Sequence, residues 1–199
     1  MKSIPSLLGL AVAVLVLAQS QVQAASDIFI RFTGSIGGGM NYTGDSKNTQ
    51  FPGSQGWVEA SSVGLGMENV ITIGGTGGAG AGKAKANPLS CVKIPNSASA
   101  ALFTACAIGG HWDVMEIVFT KQSQTGKSET YLKVELKLVL VAELALKMAE
   151  GDDNPSETVT LAYGAQRLTF YAPNPTGGAP VQAGISTWSF VLNNNTFAT

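Results

Sequence analysis

The sequence predicts a mainly β protein: a closed or nearly closed β-barrel of two sheets with one short flanking α-helix. Three observations carry this reading. About nine segments alternate apolar and polar residues with a period of two. Only one stretch, Ala98 to Ala107, has convincing helical character. The chain of 199 residues, with 12 Lys and Arg against 13 Asp and Glu, suits a single domain with a proper core. Closure also removes the unpaired edges that a strongly β chain must protect.

Residues 1–24 read as a secretory signal peptide, with the single domain spanning 25–199. Met1-Lys2 supplies a positive start, Leu7 to Ala18 is an unbroken apolar and glycine run, and Val22-Gln23-Ala24 fits a small-residue cleavage site between Ala24 and Ala25. The run is short of the roughly 20 apolar residues that span a bilayer, so no stable membrane span is expected. A net charge of −1 is too balanced to point to nucleic acid or to an anionic membrane surface.

The first strand alternates Ile28, Ile30 and Phe32 with Phe29 and Arg31, and Gly37-Gly38-Gly39 breaks it. Met40 to Gly56 is polar and loop-like. Short strands are expected around Trp57 to Ala60 and from Glu68 to Ile73. Glycine then fills six of the nine positions from Gly74 to Gly82, which predicts a long loop, Gly74 to Ala86, with no regular element in it. Extended chain restarts at Pro88-Leu89. Asn96 or Ser97 can cap the helix and Gly109-Gly110 stop it, with Leu102, Ala105, Cys106 and Gly109 on one side.

Beyond the helix, Trp112 to Thr120 is apolar on nearly both faces, as a central strand is. From Tyr131, the even positions Leu132, Val134, Leu136, Leu138 and Leu140 alternate with Lys133, Glu135 and Lys137. The same period runs through Leu144, Leu146 and Met148, predicting one long, bending strand. Gly151-Asp152-Asp153-Asn154-Pro155 is a turn. Val159, Leu161 and Tyr163 then mark one strand, Leu168 and Phe170 another, joined by a tight turn at Gly164-Ala165. Pro173 to Pro180 is a loop, and Trp188, Phe190 and Leu192 mark a last strand.

Few residues carry chemistry. Gly77 to Ala84 spells a P-loop through Lys83, but Ala84 lacks the hydroxyl for Mg²⁺ and Asn87-Pro88 forbids the helix that would face phosphate. Cys91 and Cys106, fifteen positions apart, have two readings. Paired in an exporting compartment they would be worth about 3 kcal/mol; unpaired they are small buried hydrophobes. With the single His111 they match no zinc spacing. Glu150, Asp152 and Asp153 read as a solvated acidic loop rather than a cation site. A small exported hydrolase would have to rest on His111 alone, with no partner for it. No cofactor, no metal and no enzymatic activity are expected.

The order of certain segments resembles the Hcp family, the haemolysin-coregulated proteins that form the tube of type VI secretion systems. These segments are Asp27-Ile28-Phe29-Ile30-Arg31-Phe32, and Gly82-Lys83-Ala84 followed by Pro88-Leu89-Ser90. Next come Ala101-Leu102-Phe103-Thr104-Ala105-Cys106-Ala107 with Gly109-Gly110-His111, then Tyr131-Leu132-Lys133-Val134, and last the stretch from Gly151 to Val159. The resemblance covers essentially the whole chain after the leader. It implies a two-sheet barrel with one helix, hexameric rings that stack into a hollow tube, and sheath, spike and effector cargo as partners. It also implies an inter-ring contact loop, which falls here on Gly74, Gly75, Thr76, Gly77, Gly78, Gly80, Gly82, Lys83 and Lys85.

The leader departs from that pattern, because tube proteins of this kind are loaded from the cytoplasm. It implies export to the periplasm or the exterior of a Gram-negative cell. Two readings therefore stand: a secretion tube subunit, and an exported module of the same fold that binds or coats outside the cell without stacking. Intact-mass measurement on exported protein is expected to give a chain beginning at Ala25; retention of Met1 would exclude cleavage.

Overall fold

The alternation that starts at residue 27 folds into ten strands and one helix, seen here in a computed structural model that describes residues 26–36, 40–74, 78–123 and 128–199. The leader, with Ala24 and Ala25, lies outside these residues, as do Gly75, Thr76 and Gly77.

In chain order the strands are β1 (Asp27–Ile36), β2 (Val58–Ala60), β3 (Ser62–Gly64), β4 (Met67–Gly74), β5 (Gly78–Ala86) and β6 (Leu89–Lys93). Helix α1 (Ser97–Ile108) follows, then β7 (His111–Gln122), β8 (Ser128–Lys147), β9 (Ser156–Ala172) and β10 (Val181–Ser189). One curled sheet runs β2-β1-β7-β8-β9-β6-β3, with β10 also paired to β9. Its two ends are consecutive in the chain. β2 pairs with β1, β3 pairs with β6, and only Ser61 separates them, its amide donating to the Val92 carbonyl at 2.7 Å. The wall is thus nearly closed by the chain itself, which leaves few exposed edges. β4 and β5 form a second, two-stranded sheet.

The core lies inside the curl and under α1, whose buried Ala98, Ala101, Leu102 and Ala105 form its inner stripe. Asn96 caps the helix by accepting from the Ala98 amide at 3.0 Å, and Ser99 Oγ accepts from the Asn96 amide at 3.0 Å. Gly109, in the left-handed region at φ 66°, ends it. Beneath this cap, Lys93 and Glu157 form a fully buried ion pair across β6 and β9. Ser99 Oγ joins them, donating to Glu157 Oε2 at 2.9 Å and accepting from Lys93 Nζ at 2.8 Å. Lys93 Nζ also reaches Asn96 Oδ1 at 3.1 Å and the Ile94 carbonyl at 3.3 Å. The pair thereby ties the start of the helix to the wall.

Four adjacent strands change inward phase along one transverse row. On β8, Val134 and Leu136 are buried, then Val139 and Val141. On β7 the core residues are Trp112, then Met115 and Ile117; on β9 they are Leu161 and Tyr163, then Gln166 and half-buried Leu168. The row passes through Gly34, Asp113, Leu138 and Gly164, each set between printed register partners of its neighbours. Gly34 and Leu138 both have positive φ, 68° and 52°. At Gly164 an added Cβ would stand 3.3 Å from Leu138 Cβ and 2.8 Å from Thr199 Cγ2, so only glycine leaves room. One residue spent out of phase turns each strand over, and the sheet bends there.

This row corrects three sequence expectations. The apolar even positions of β8 face inward only to Leu136; past Leu138 the odd residues Val139 and Val141 take over. Gly164-Ala165 is not a turn between two strands but the middle of one continuous seventeen-residue strand. The odd-to-even switch from Tyr163 to Leu168 is real, and the bend rather than a reversal produces it. The last strand ends at Ser189, before Phe190 and Leu192, because the Phe190 and Val191 amides turn to the Gly164 carbonyl at 2.8 and 3.3 Å.

Both cysteines are free thiols. Cys91 is buried on β6 and burial pushes its thiol up to about 12, while Cys106 sits one residue off the inner stripe of α1, half-buried.

Breaking the buried pair one side at a time, as Lys93→Met or Glu157→Gln, should cost about 3–5 kcal/mol in urea unfolding, since one charge or dipole is left unmatched. The double variant Lys93→Met/Glu157→Leu should recover most of that loss.

Candidate functional site

Two surfaces stand out: a charged ladder on the outer wall and the two-stranded hairpin that leaves it. The ladder follows from strand register. Arg31 on β1 pairs with Glu116 on β7, Glu116 pairs with Glu135 on β8, and Glu135 pairs with Arg167 on β9. All four alternate with core residues and so face outward. Glu116 directly opposite Glu135 is an unfavourable like-charge pair. Lys133 resolves it from the diagonal, its Nζ 2.8 Å from Glu116 Oε1 and 3.3 Å from Glu135 Oε1. Arg31 donates Nε to Glu116 Oε2 at 2.8 Å and also pairs through Nη2. Arg167 grips Glu135 with two bonds, 2.7 and 2.6 Å.

Electrostatics follow the geometry. Burial pushes the Glu116 carboxyl up, but Lys133 and Arg31 outweigh it and hold the group below the ordinary carboxylate value. Burial acts likewise on Glu135, and Arg167 and Lys133 overcome it. Lys133 is lowered by burial and raised further by its two glutamates, so its net shift is upward. Aromatic rings cap the ends: Arg31 lies 4.5 Å over Trp57, and Arg167 4.5 Å over Phe197.

The strap from Met40 to Trp57 covers the same outer face. Phe51 stacks on Phe29 at 4.8 Å and meets Trp57 edge-on at 5.1 Å. Tyr42 anchors it, accepting from the Phe32 amide at 2.8 Å and donating to the Gly56 carbonyl at 2.9 Å; burial pushes its phenol up to about 12. Between strap, ladder and the 173–180 loop lies an open groove of about 820 Å³. It is a contact surface without a nucleophile–base arrangement, and among the described residues no three His, Cys, Asp or Glu are grouped to hold a metal.

The hairpin overturns the expectation of an irregular loop from Gly74 to Ala86. β4 and β5 pair antiparallel, Met67 with Ala86, Lys85 with Glu68, Ile71 with Ala81 and Gly74 with Gly78. Glycine does weaken a strand, but β4 supplies every residue of β5 with a partner. The strict Gly-Ala alternation from Gly78 to Gly82 is the signal that could have disclosed it. The P-loop spelling falls with this, since Lys83 and Ala84 lie in a strand followed by another strand. Of the expected contact residues, Gly74, Gly78, Gly80, Gly82, Lys83 and Lys85 thus share one hairpin. Its base is held by the Asn87 amide donating to the Gly66 carbonyl at 3.0 Å and by buried Ala84. Gly82, Lys83, Lys85, Met67 and Ile71 are exposed.

Sequence reasoning saw the outward Lys133, Glu135, Lys137 and Arg167 but not the ladder. Arg31 and Glu116 are 85 positions apart, and only register brings them together. Among the described residues no helix is long and apolar enough to cross a membrane.

Comparison with known proteins gives a consistent answer. A family model described as "Type VI secretion system effector, Hcp" matches residues 29–170. No curated protein matches by sequence. A solved structure of a type six secretion system protein is 23% identical with a TM-score of 0.73, covering 86% of this chain and all of that one. Hcp1 from Salmonella typhimurium is 21% identical with a TM-score of 0.63, covering 86% and 99% of the two chains. The secreted protein Hcp3 from Pseudomonas aeruginosa is 20% identical with a TM-score of 0.55, covering 82% and 99%. At these identities the structural likeness establishes the fold.

The ladder makes stability acid-sensitive. Both glutamates sit below their unfolded value of 4.5, so their contribution is complete above that pH and is lost as pH falls through the lower folded values. Glu116→Gln and Glu135→Gln should each cost about 1–2 kcal/mol at neutral pH, and both variants should show a flatter urea midpoint between pH 5 and 3.

Proposed function

The chain belongs to the Hcp family of type VI secretion proteins, and from that premise we propose that it is a structural tube subunit, not an enzyme. In this reading it forms hexameric rings that stack into a hollow tube, which carries or chaperones effectors and meets sheath and spike proteins. The observation that carries the self-assembly is the β4–β5 hairpin. A two-stranded sheet is marginal by itself in water, and this one presents exposed Met67 and Ile71. Docking on another subunit would bury those side chains and offset the ordering cost. Exposed Phe103 and Ile108 on α1 add apolar surface of the kind that subunit contacts use.

The leader-like residues 1–24 favour a second reading, in which the same fold acts in the periplasm or outside the cell as a binding or surface module that does not stack. Either way the product is exported.

Light scattering after gel filtration, with negative-stain images of the same peak, separates the two. A closed ring of about six subunits is expected, since cyclic closure satisfies one heterologous interface. A monomer at high protein concentration would reject the tube reading in favour of the exported module.

A further inference from the structure

Resting on the self-assembly reading, we infer that the basic hairpin of one copy seats on the acidic β8–β9 turn of the next copy, head to tail. The two surfaces lie at opposite ends of the wall. At one end of β6, Lys93 pairs with Glu157 and the adjacent Lys147–Ser156 pair leads into the turn. At the other end Leu89 pairs with Leu161, and there the hairpin departs, closed by the bond from Asn87 to Gly66. A copy translated along this direction presents its turn to the hairpin of its neighbour.

The surfaces are complementary in charge. Lys83 and Lys85 are exposed on β5, with Glu68 as the acid opposite Lys85. The turn exposes Glu150, Asp152 and Asp153, with Glu143 exposed nearby on β8 and Lys147 as the local cation. Asp152 Oδ2 accepts from the Ala149 amide at 2.8 Å, which holds the turn in shape. Both surfaces also carry bare apolar side chains: Met67 (48% exposed) and Ile71 (61%) on the hairpin, Leu146 (61%) and Met148 (66%) beside the turn. Opposite charges flanking apolar residues on each side are what a steered, partly desolvated contact requires. The contact joins two different patches of the same chain, so it does not close on itself and propagates as a stack.

Charge reversal tests the pairing. Lys83→Glu/Lys85→Glu and Glu150→Lys/Asp153→Lys should each abolish end-to-end stacks while leaving the mass of a single ring unchanged. Mixing the two variants should restore stacks, because each hairpin then meets a turn of opposite sign. Rings of either variant that stack like the unaltered chain, or a mixture that stays unstacked, would overturn the inference and leave the ring reading intact.

A second measurement does not depend on ring formation. In a Cys106→Ser background, Lys85→Cys with Asp153→Cys should give disulfide-linked multimers on mild oxidation. Cross-linked multimers without rings would support the contact and reject the ring. Rings without cross-links would do the reverse.

Discussion

The architecture depends on a backbone inversion in the middle of β8. Leu138 occupies the left-handed region, which costs a residue with a Cβ roughly 1–2 kcal/mol. In return every side chain beyond it changes face, so Val139 and Val141 reach the core that Val134 and Leu136 have already begun. The same exchange in β1, β7 and β9 lets a single sheet bend across one row and enclose a core with α1. A glycine faces the inverted leucine on β9, and the carboxy-terminal Thr199 and Val191 fill the remaining space above it. A flat sheet with unbroken alternation would have no way to bury both halves of strands this long.

Charge is used differently on the two faces of the wall. Inside, one ion pair is isolated from water and satisfied by a serine hydroxyl and the helix cap, so its value lies in fixing where α1 begins relative to β6 and β9. Such a pair adds little net stability against an apolar substitute but penalises misplacement heavily. Outside, five alternating charges bridge four strands, and each glutamate is shared between two cations. Half-burial strengthens these contacts relative to isolated surface pairs. The inner pair thus locates the helix, and the outer ladder ties neighbouring strands in register.

The hairpin follows another logic. Almost all of its mass is glycine and alanine on one strand, so it makes a thin plate with little side-chain packing of its own. The barrel holds it at the base and leaves the basic, apolar side chains beyond Ala84 open. An element of this kind gains most from a surface supplied by another molecule. That agrees with membership in a family of secretion tube proteins.

Local chemistry was readable directly. Asn96, Ser99 and Gly109 delimit the helix by hydrogen bonds within a few residues; the Asp152 turn and the period-two run of β8 are equally local. Those features sufficed for the β-rich class, the single helix and the family resemblance. Three things needed the folded chain. The switch from Tyr163 to Leu168 looks like a turn at Gly164 unless Leu138 and Thr199 are known to face it. The glycine tract looks irregular unless β4 is seen to pair it. Arg31 and Glu116 become partners only through the register of β1 on β7. Hydrogen bonds and periodicity over a few residues are written in the order of amino acids. Strand register and compensation for a strained backbone depend on residues distant in sequence, and only tertiary contact decides them.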